Sequence, residues 1–227
     1  MNFEEIFNSG QAQDESQIIK TITVDWVKHS HGILNLAKNF EPNFKIDENN
    51  KVILRLFLLY FTGNKMFNEA LKELTGTEGS LNKGLLLGGG VGTGKSLLFR
   101  IIKHYTGEIL HANSFQYHNA SEIIDTVGVS GIEYLEQFNS NFGNPLTCYI
   151  DDIAAQNEKV NHFGTNHAVI EQLLSVRYNV YSRHKKLTHV STNKTLPALT
   201  EIYETRIIDR MKEMFNIINL GGKSRRC

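Results

Sequence analysis

Eight consecutive residues, Gly89-Gly90-Val91-Gly92-Thr93-Gly94-Lys95-Ser96, satisfy the pattern G-x-x-x-x-G-K-[ST]. The spacing suits one task, the holding of a polyphosphate. Glycines reach dihedrals closed to other residues, so successive backbone N–H groups can turn inward around an anion. A helix beginning at the end of the motif aims the positive end of its dipole at the same charge. Lys95 can reach the terminal phosphates, and the Ser96 hydroxyl can ligate Mg2+. The expected nucleotide set therefore runs from Gly89 to Leu97, with ATP as ligand and Mg2+ as cofactor.

Such a loop needs an acidic partner on a neighbouring strand. Cys148-Tyr149-Ile150 reads as an apolar strand end leading into Asp151-Asp152. Asp151 is placed to hold the Mg2+ shell with Ser96, and Asp152 to polarise an attacking water. Two carboxylates at the end of a buried strand are costly without a cation or donors to satisfy them. Aspartate at the second position is one methylene shorter than glutamate, so slow turnover is expected. Asn193 follows another apolar strand, where its amide can meet a γ-phosphate or orient a water. Arg206 and Arg210 stand at i and i+4 on one face of a helix whose other face is Ile207, Met211 and Met214. The plain alternative is pairing within the helix, Arg206 with Asp209 and Arg210 with Glu213.

Elements of matching length surround these groups. Leu85-Leu86-Leu87 is a short apolar strand before the glycine loop, and an amphipathic helix with Leu98, Ile101, Ile102 and Tyr105 follows it. Strand, loop and helix in that order open a βαβ unit. Further strands are predicted near Ile109–Tyr117, Leu146–Ile150 and Leu187–Ser191. Helices are predicted as two pieces split by Gly128–Gly131, then over Ala168–Arg183 and Ile202–Phe215. Upstream, one helical pattern runs from Asp47 to Leu74 and closes at Gly76–Gly79, after an amphipathic stretch from Trp26 to Leu36. Alternating elements of these lengths predict an α/β fold, a parallel sheet covered by helices on both faces.

The chain has 227 residues, 24 basic and 24 acidic, and 41% are hydrophobic. Its longest apolar run, Val52–Phe61, is about half a membrane span and is broken by Arg55. The first residues lack a secretory signal pattern, and Cys148 and Cys227 form neither a disulfide framework nor a metal spacing. A cytoplasmic protein without a membrane span is expected. His29 and His31 are too sparse for a metal site, and Cys148 reads as core. Charge is uneven: residues 104–158 hold eight carboxylates and no Lys or Arg, whereas residues 159–227 hold 12 basic and 5 acidic side chains. A basic C-terminal third suits a polyanion, unless folding interleaves the two segments and cancels the field.

In order and spacing, the glycine loop, Ile150–Ala155, Ser191-Thr192-Asn193, Arg206–Arg210 and Leu220–Arg225 resemble the AAA+ ATPases of the replication initiator and helicase-loader branch. The likeness is strongest to bacterial and phage helicase loaders and to transposition helper ATPases, and spans about residues 47–226. It implies a P-loop core with five parallel strands in the order 5-1-4-3-2. It also implies ATP between neighbouring copies of the chain in an ATP-dependent homo-oligomer, and an arginine acting in trans. By motif position Arg210 is the better finger, Arg206 the second and Arg177 a weaker candidate. Since the sequence ends about seventeen residues after Arg210, no C-terminal helical lid is expected. Residues 1–46 are expected as a short partner-binding segment before the core at 47–227, with a replicative helicase or another nucleic-acid enzyme, and single-stranded DNA, as partners.

One departure from the family pattern concerns DNA. The helical insertion Asn119–Phe142 carries Glu122, Asp125, Glu133 and Glu136 and no Lys or Arg. Phosphate contacts dominate nucleic-acid affinity, so Tyr134 and Phe138 would have to supply the contact by stacking. A second reading is therefore a nucleotide-switched protein-binding module with negligible hydrolysis and no DNA contact. A third, a small-molecule P-loop kinase, is disfavoured because the Asn193 and Arg206/Arg210 set is what ring ATPases require. For adenine, Phe40 or Phe44 could stack, although aromatics there more often pack a core. The tail Lys223–Arg226 could touch the nucleotide or DNA phosphates.

Overall fold

Gly84–Gly89 forms β1, in which Leu85, Leu86 and Leu87 are all buried. A strand apolar on both faces belongs in the middle of a parallel sheet, and β1 lies between two others. The structure is a computed structural model that describes residues 25–109, 115–139, 146–155, 158–162, 165–222 and 224–225. Its described parts divide into two units, one drawn from Met1–Leu81 and Leu97–Ser114, the other from Asn82–Ser96 and Phe115–Cys227.

In the first unit, α1 (Trp26–Phe40), α2 (Glu48–Phe61) and α3 (Met66–Thr75) are followed much later in the chain by most of α4 (Lys95–His104) and a wide turn at Tyr105–Ile109. The pattern from Asp47 to Leu74 is two helices rather than one. Gly63 at φ +70° breaks it, and Asn64 Oδ1 accepts the Met66 N–H at 3.0 Å to start the next. Asp47 and Asn50 close a reciprocal cap on α2. His29 is buried with Nδ1 2.8 Å from the Tyr105 hydroxyl. Phe44 is buried in the core, and Phe40 packs on the His104 ring with the Arg100 guanidinium over it.

The second unit holds a five-stranded parallel sheet: β2 (Gln116–Asn119), β3 (Cys148–Ile153), β6 (Thr188–Thr192), β1 and β7 (Phe215–Leu220), in that spatial order. Counting only these five in chain order, the sequence across the sheet is 2-3-4-1-5, the expected order read from the other edge. Three segments differ from the sequence expectation. Residues 215–220 form a strand that pairs with β1 from Gly84↔Phe215 to Gly89↔Leu220. The closing helix predicted over Ile202–Phe215 is shorter, α8 (Thr205–Met214), and a separate helix not predicted, α7 (Leu196–Ile202), precedes it across Tyr203-Glu204. Finally, an antiparallel hairpin, β4 (Lys159–His162) with β5 (Thr165–Ala168), precedes α6 (Val169–His184). Of the predicted Ile109–Tyr117 strand, residues 110–114 lie outside the described residues, as do 1–24, 140–145, Lys223, Arg226 and Cys227.

The sheet shares one apolar core with α5 (Ala120–Ser130), a short 3-10 turn (Ile132–Phe138), α6 and α8. Arg177 is sealed inside it at 2% exposure. Its guanidinium donates to Thr188 Oγ1 and to the carbonyls of Phe138, Leu146 and Leu187 at 2.8–3.1 Å. That engagement removes Arg177 as a group able to act on another chain. Cys148 is buried, which pushes its thiol pKa up. Among the described residues, no helix is long and apolar enough to cross a membrane.

His189 is buried in β6 and its Nδ1 accepts the Leu85 N–H of β1 at 3.1 Å, so the ring must stay neutral there. Burial, with the Arg177 charge second, lowers its pKa to about 3 from 6.5. The unfolded chain therefore binds the extra proton between those values, and stability falls as pH drops through that window. Denaturant titrations from pH 7 to pH 4 should show a loss approaching ~1.4 kcal/mol per pH unit from this group, a slope that His189→Gln flattens.

Candidate nucleotide site

β1 delivers the glycine loop at its C-terminal edge, level with Leu220 at the end of β7. Gly92 has φ +77°, a dihedral that favours glycine, and a Cβ there would also push the Ser224 hydroxyl aside. The Arg225 N–H donates to the Gly92 carbonyl at 2.9 Å. Arg225 thus lies against the loop, while Lys223 and Arg226 fall outside the described residues. Val91 is exposed at the crest, and Thr93 is buried with its hydroxyl on the Gly90 carbonyl at 2.9 Å.

Lys95 and Ser96 open α4, with Leu97 next in the same turn. The Lys95 ammonium is buried to 8% exposure and donates to the carbonyls of Gly89 and Gly90 at 2.8 and 2.9 Å. Across the sheet, Asp151 is 4% exposed near the end of β3. Four hydroxyls converge on its carboxylate. Ser96 Oγ lies 2.8 Å, Tyr149 OH 2.6 Å and Ser191 Oγ 2.5 Å from Oδ1, and Tyr117 OH lies 2.6 Å from Oδ2. Burial first, and then the Asp151 charge, raise the Tyr149 pKa well above its usual value, which keeps that phenol a donor. The Ser96 and Asp151 oxygens fit a small hard cation, since both are oxygen ligands and the carboxylate is already drawn to Ser96.

Asp152 takes a different course. The pairing of β3 with β6 shifts register between Ile150 and Ile153, and Asp152 and Ala154 both have positive φ, 62° and 60°. Aspartate tolerates this region better than alanine does, and such residues persist only where neighbours hold them. Here Ser191 Oγ accepts the Asp152 N–H at 3.0 Å, and Glu158 Oε1 accepts the Ala154 N–H at 2.6 Å. The Asp152 side chain therefore turns out of the buried set, exposed beside Asp151. Asn193 lies just past β6, and its Oδ1 is buried without a hydrogen-bond partner among the described residues. Next to it, Lys194 borders a cavity of about 330 Å³ with Ala154, Glu158, Glu171 and Tyr203. Burial is also the main cause raising the Glu158 and Tyr203 pKa values.

The two arginines of α8 differ. Arg210 is half-buried, with Nη1 3.1 Å from Ser175 Oγ and its guanidinium 4.7 Å from the Tyr178 ring centre. Arg206 is exposed and makes no hydrogen bond or ion pair among the described residues. Neither expected intrahelical pair forms: Asp209 pairs with Lys212 at 3.3 Å, and Glu213 accepts the Tyr178 hydroxyl at 2.8 Å.

The insertion helix keeps its acids outside. Glu122, Asp125, Glu133 and Glu136 are all exposed, whereas Phe138 is core and Tyr134 packs edge-on against it at 6.2 Å. Phe138 is thus closed to base stacking as it stands, whereas Tyr134 is half-buried. Sequence reasoning did not find Tyr117, Tyr149 and Ser191; a tyrosine or serine in a strand carries no spacing signal, although Tyr149 and Ser191 stood inside the quoted motifs.

No family model and no curated protein matches the sequence. The fold is nonetheless shared with solved replication proteins. A candidate primosome component from Streptococcus pyogenes serotype M3 is similar at 18% identity and TM-score 0.52, over 79% of this chain and 84% of that one. The DnaC helicase loader is similar at 14% identity and TM-score 0.51, over 79% and 94%. The replication initiator DnaA, solved with AMPPCP and single-stranded DNA, is similar at 15% identity and TM-score 0.50, over 80% of this chain and 49% of that one. What these structures share with the chain is the fold, a five-stranded parallel sheet flanked by helices.

Ser191→Ala removes one donor from the buried Asp151 carboxylate and strands the Asp152 N–H. Urea unfolding should show a loss of about 1–3 kcal/mol, and Ser175→Ala, whose half-buried hydroxyl meets no buried charge, a smaller one.

Proposed function

We propose that this chain is an ATP-binding and ATP-hydrolysing AAA+ protein that acts as a helicase-loader-like accessory ATPase in replication. The observation that carries the reading is the contact of Ser96 with Asp151 at 2.8 Å, which joins the phosphate loop to the acidic strand end. The likeness in fold to a helicase loader and to an AMPPCP-bound initiator supports it. In this reading the backbone from Gly89 to Gly94 and the Lys95 ammonium bind the phosphates, and Lys95 exchanges its two loop carbonyls for phosphate oxygens. Ser96 and Asp151 hold Mg2+, which supplies charge neutralisation when bound. The exposed Asp152 carboxylate accepts a proton from the attacking water, and Asn193, with its free amide oxygen, orients that water.

Arg206, rather than Arg210, is the arginine offered to a neighbouring copy. Arg210 already spends its guanidinium on Ser175 and Tyr178 in its own chain. A homo-oligomer is then needed for full activity, and a replicative helicase is the partner class. Residues before Asp47 are the partner-binding segment. Direct DNA contact through the insertion is disfavoured by its four exposed acids, and the same acids favour the second reading, a nucleotide-switched protein binder.

The test is binding of a fluorescent ATP analogue together with phosphate release over a range of protein concentrations. Lys95→Ala should abolish binding. Arg206→Ala should keep binding yet lose about 10³-fold or more of the turnover that appears at high protein concentration. Arg210→Ala should instead lose mainly stability. Full turnover by Arg206→Ala overturns the finger assignment, and absence of ATP binding by the unaltered chain overturns the reading itself.

A further inference from the structure

A carboxylate has about four lone-pair sites, and Asp151 already faces four hydroxyl donors. They are unequal. Tyr149 and Ser191 are wholly buried, and Ser96 is fixed in the first turn of α4. Three of the four lie on Oδ1. Tyr117 alone meets Oδ2, at 2.6 Å, and it alone is exposed, to 38%, at the edge strand β2 of the sheet. Its ring rests beside that of Tyr149, with centroids 5.4 Å apart.

A hydrated Mg2+ keeps most of its waters, and these are donors. Oδ1 is crowded by three hydroxyls, so Oδ2 is the oxygen with room for such donors or for the cation, and the Tyr117 hydroxyl occupies one of its two lone-pair sites. Ser96 need not withdraw, because its oxygen can face a cation while its proton stays on Asp151. Tyr149 and Ser191 cannot withdraw without leaving buried polar groups unpaired. We infer that Tyr117 is a latch on the metal site: its hydroxyl holds Oδ2 of Asp151, the less crowded oxygen, and competes there with a hydrated divalent cation. This inference rests on the proposed assignment of Ser96 and Asp151 as cation ligands. In it Tyr117 is a positioning residue that opposes metal binding, the reverse of what a partner of an acidic ligand usually does.

The experiment is a Mn2+ titration followed by electron paramagnetic resonance of the free ion, with the chain saturated by a non-hydrolysable ATP analogue. Tyr117→Phe removes the hydroxyl and keeps the ring, and its melting temperature verifies the fold. Mn2+ should bind about three- to tenfold more tightly to this variant, the size of one hydrogen bond released from competition. Tyr149→Phe, which deletes a buried donor, should bind Mn2+ no more tightly than the unaltered chain. Unchanged or weaker Mn2+ binding by Tyr117→Phe overturns the latch, as does equal tightening by Tyr149→Phe. If the unaltered chain binds the analogue and Mn2+ but the variant does not differ, only the latch falls. If the unaltered chain binds neither, the ATP reading falls and the latch with it.

Discussion

A carboxylate held at 4% exposure is the constraint around which the second unit is arranged. Removing Asp151 from water costs several kcal/mol unless donors replace the lost hydration. The sheet answers with hydroxyls from three strands and one helix: Tyr117 on β2, Tyr149 on β3 itself, Ser191 on β6 and Ser96 on α4. Each comes from a different element, so the carboxylate ties the order of the sheet to the placement of the glycine loop. The strand order β2-β3-β6-β1 is what allows it, because β3 must lie between β2 and β6 for both to reach Asp151.

Ser191 carries that constraint one residue further. Its hydroxyl donates to Asp151 while accepting the N–H of Asp152, so the position of the buried acid sets the backbone of the exposed one. The shift in register after Ile150 and the positive φ at Asp152 and Ala154 are the local cost of turning two adjacent aspartates in different directions. One is kept dry among hydroxyl donors, and the other is kept in water. Neighbouring residues in a regular strand also face opposite ways, but a regular strand would bury Asp152 against the other layer of the core. The bulge frees it from that layer.

Much of this was legible in the sequence. Gly89–Ser96 announced itself because each position of the loop is dictated by dihedral or charge, and the apolar runs at Leu85–Leu87, Tyr149–Ile150 and Leu187–Ser191 marked three strands of the sheet. β7 was missed for a physical reason: Phe215-Asn216-Ile217-Ile218-Asn219-Leu220 has apolar residues that fit either period, and a strong helix pattern runs directly into it. The hairpin β4–β5 lacks an apolar face in its sequence, so no periodicity could reveal it. Motif position ranked Arg210 ahead of Arg206 as the arginine acting in trans, and their i, i+4 spacing alone does not separate them. The partners that α6 brings, Ser175 and Tyr178, engage Arg210 alone.

Charge counted along the chain and charge offered at the surface are different quantities. Residues 159–227 hold 12 basic side chains, but the Arg177 guanidinium is sealed in the core, Arg210 is stacked on a tyrosine, and Lys212 lies 3.3 Å from Asp209. Arg183 and Lys185, both exposed, stand at the C-terminal end of α6, where a cation answers the negative end of the helix dipole. The acids of residues 119–139 suffer no such reduction: all four stand in solvent. The surface is therefore less basic than the sequence of its last third, and the insertion fully as acidic as its sequence. A phosphate backbone meets repulsion at α5 and little compensating attraction along α8, where Arg206 is the exposed cation left uncommitted by contacts within the chain.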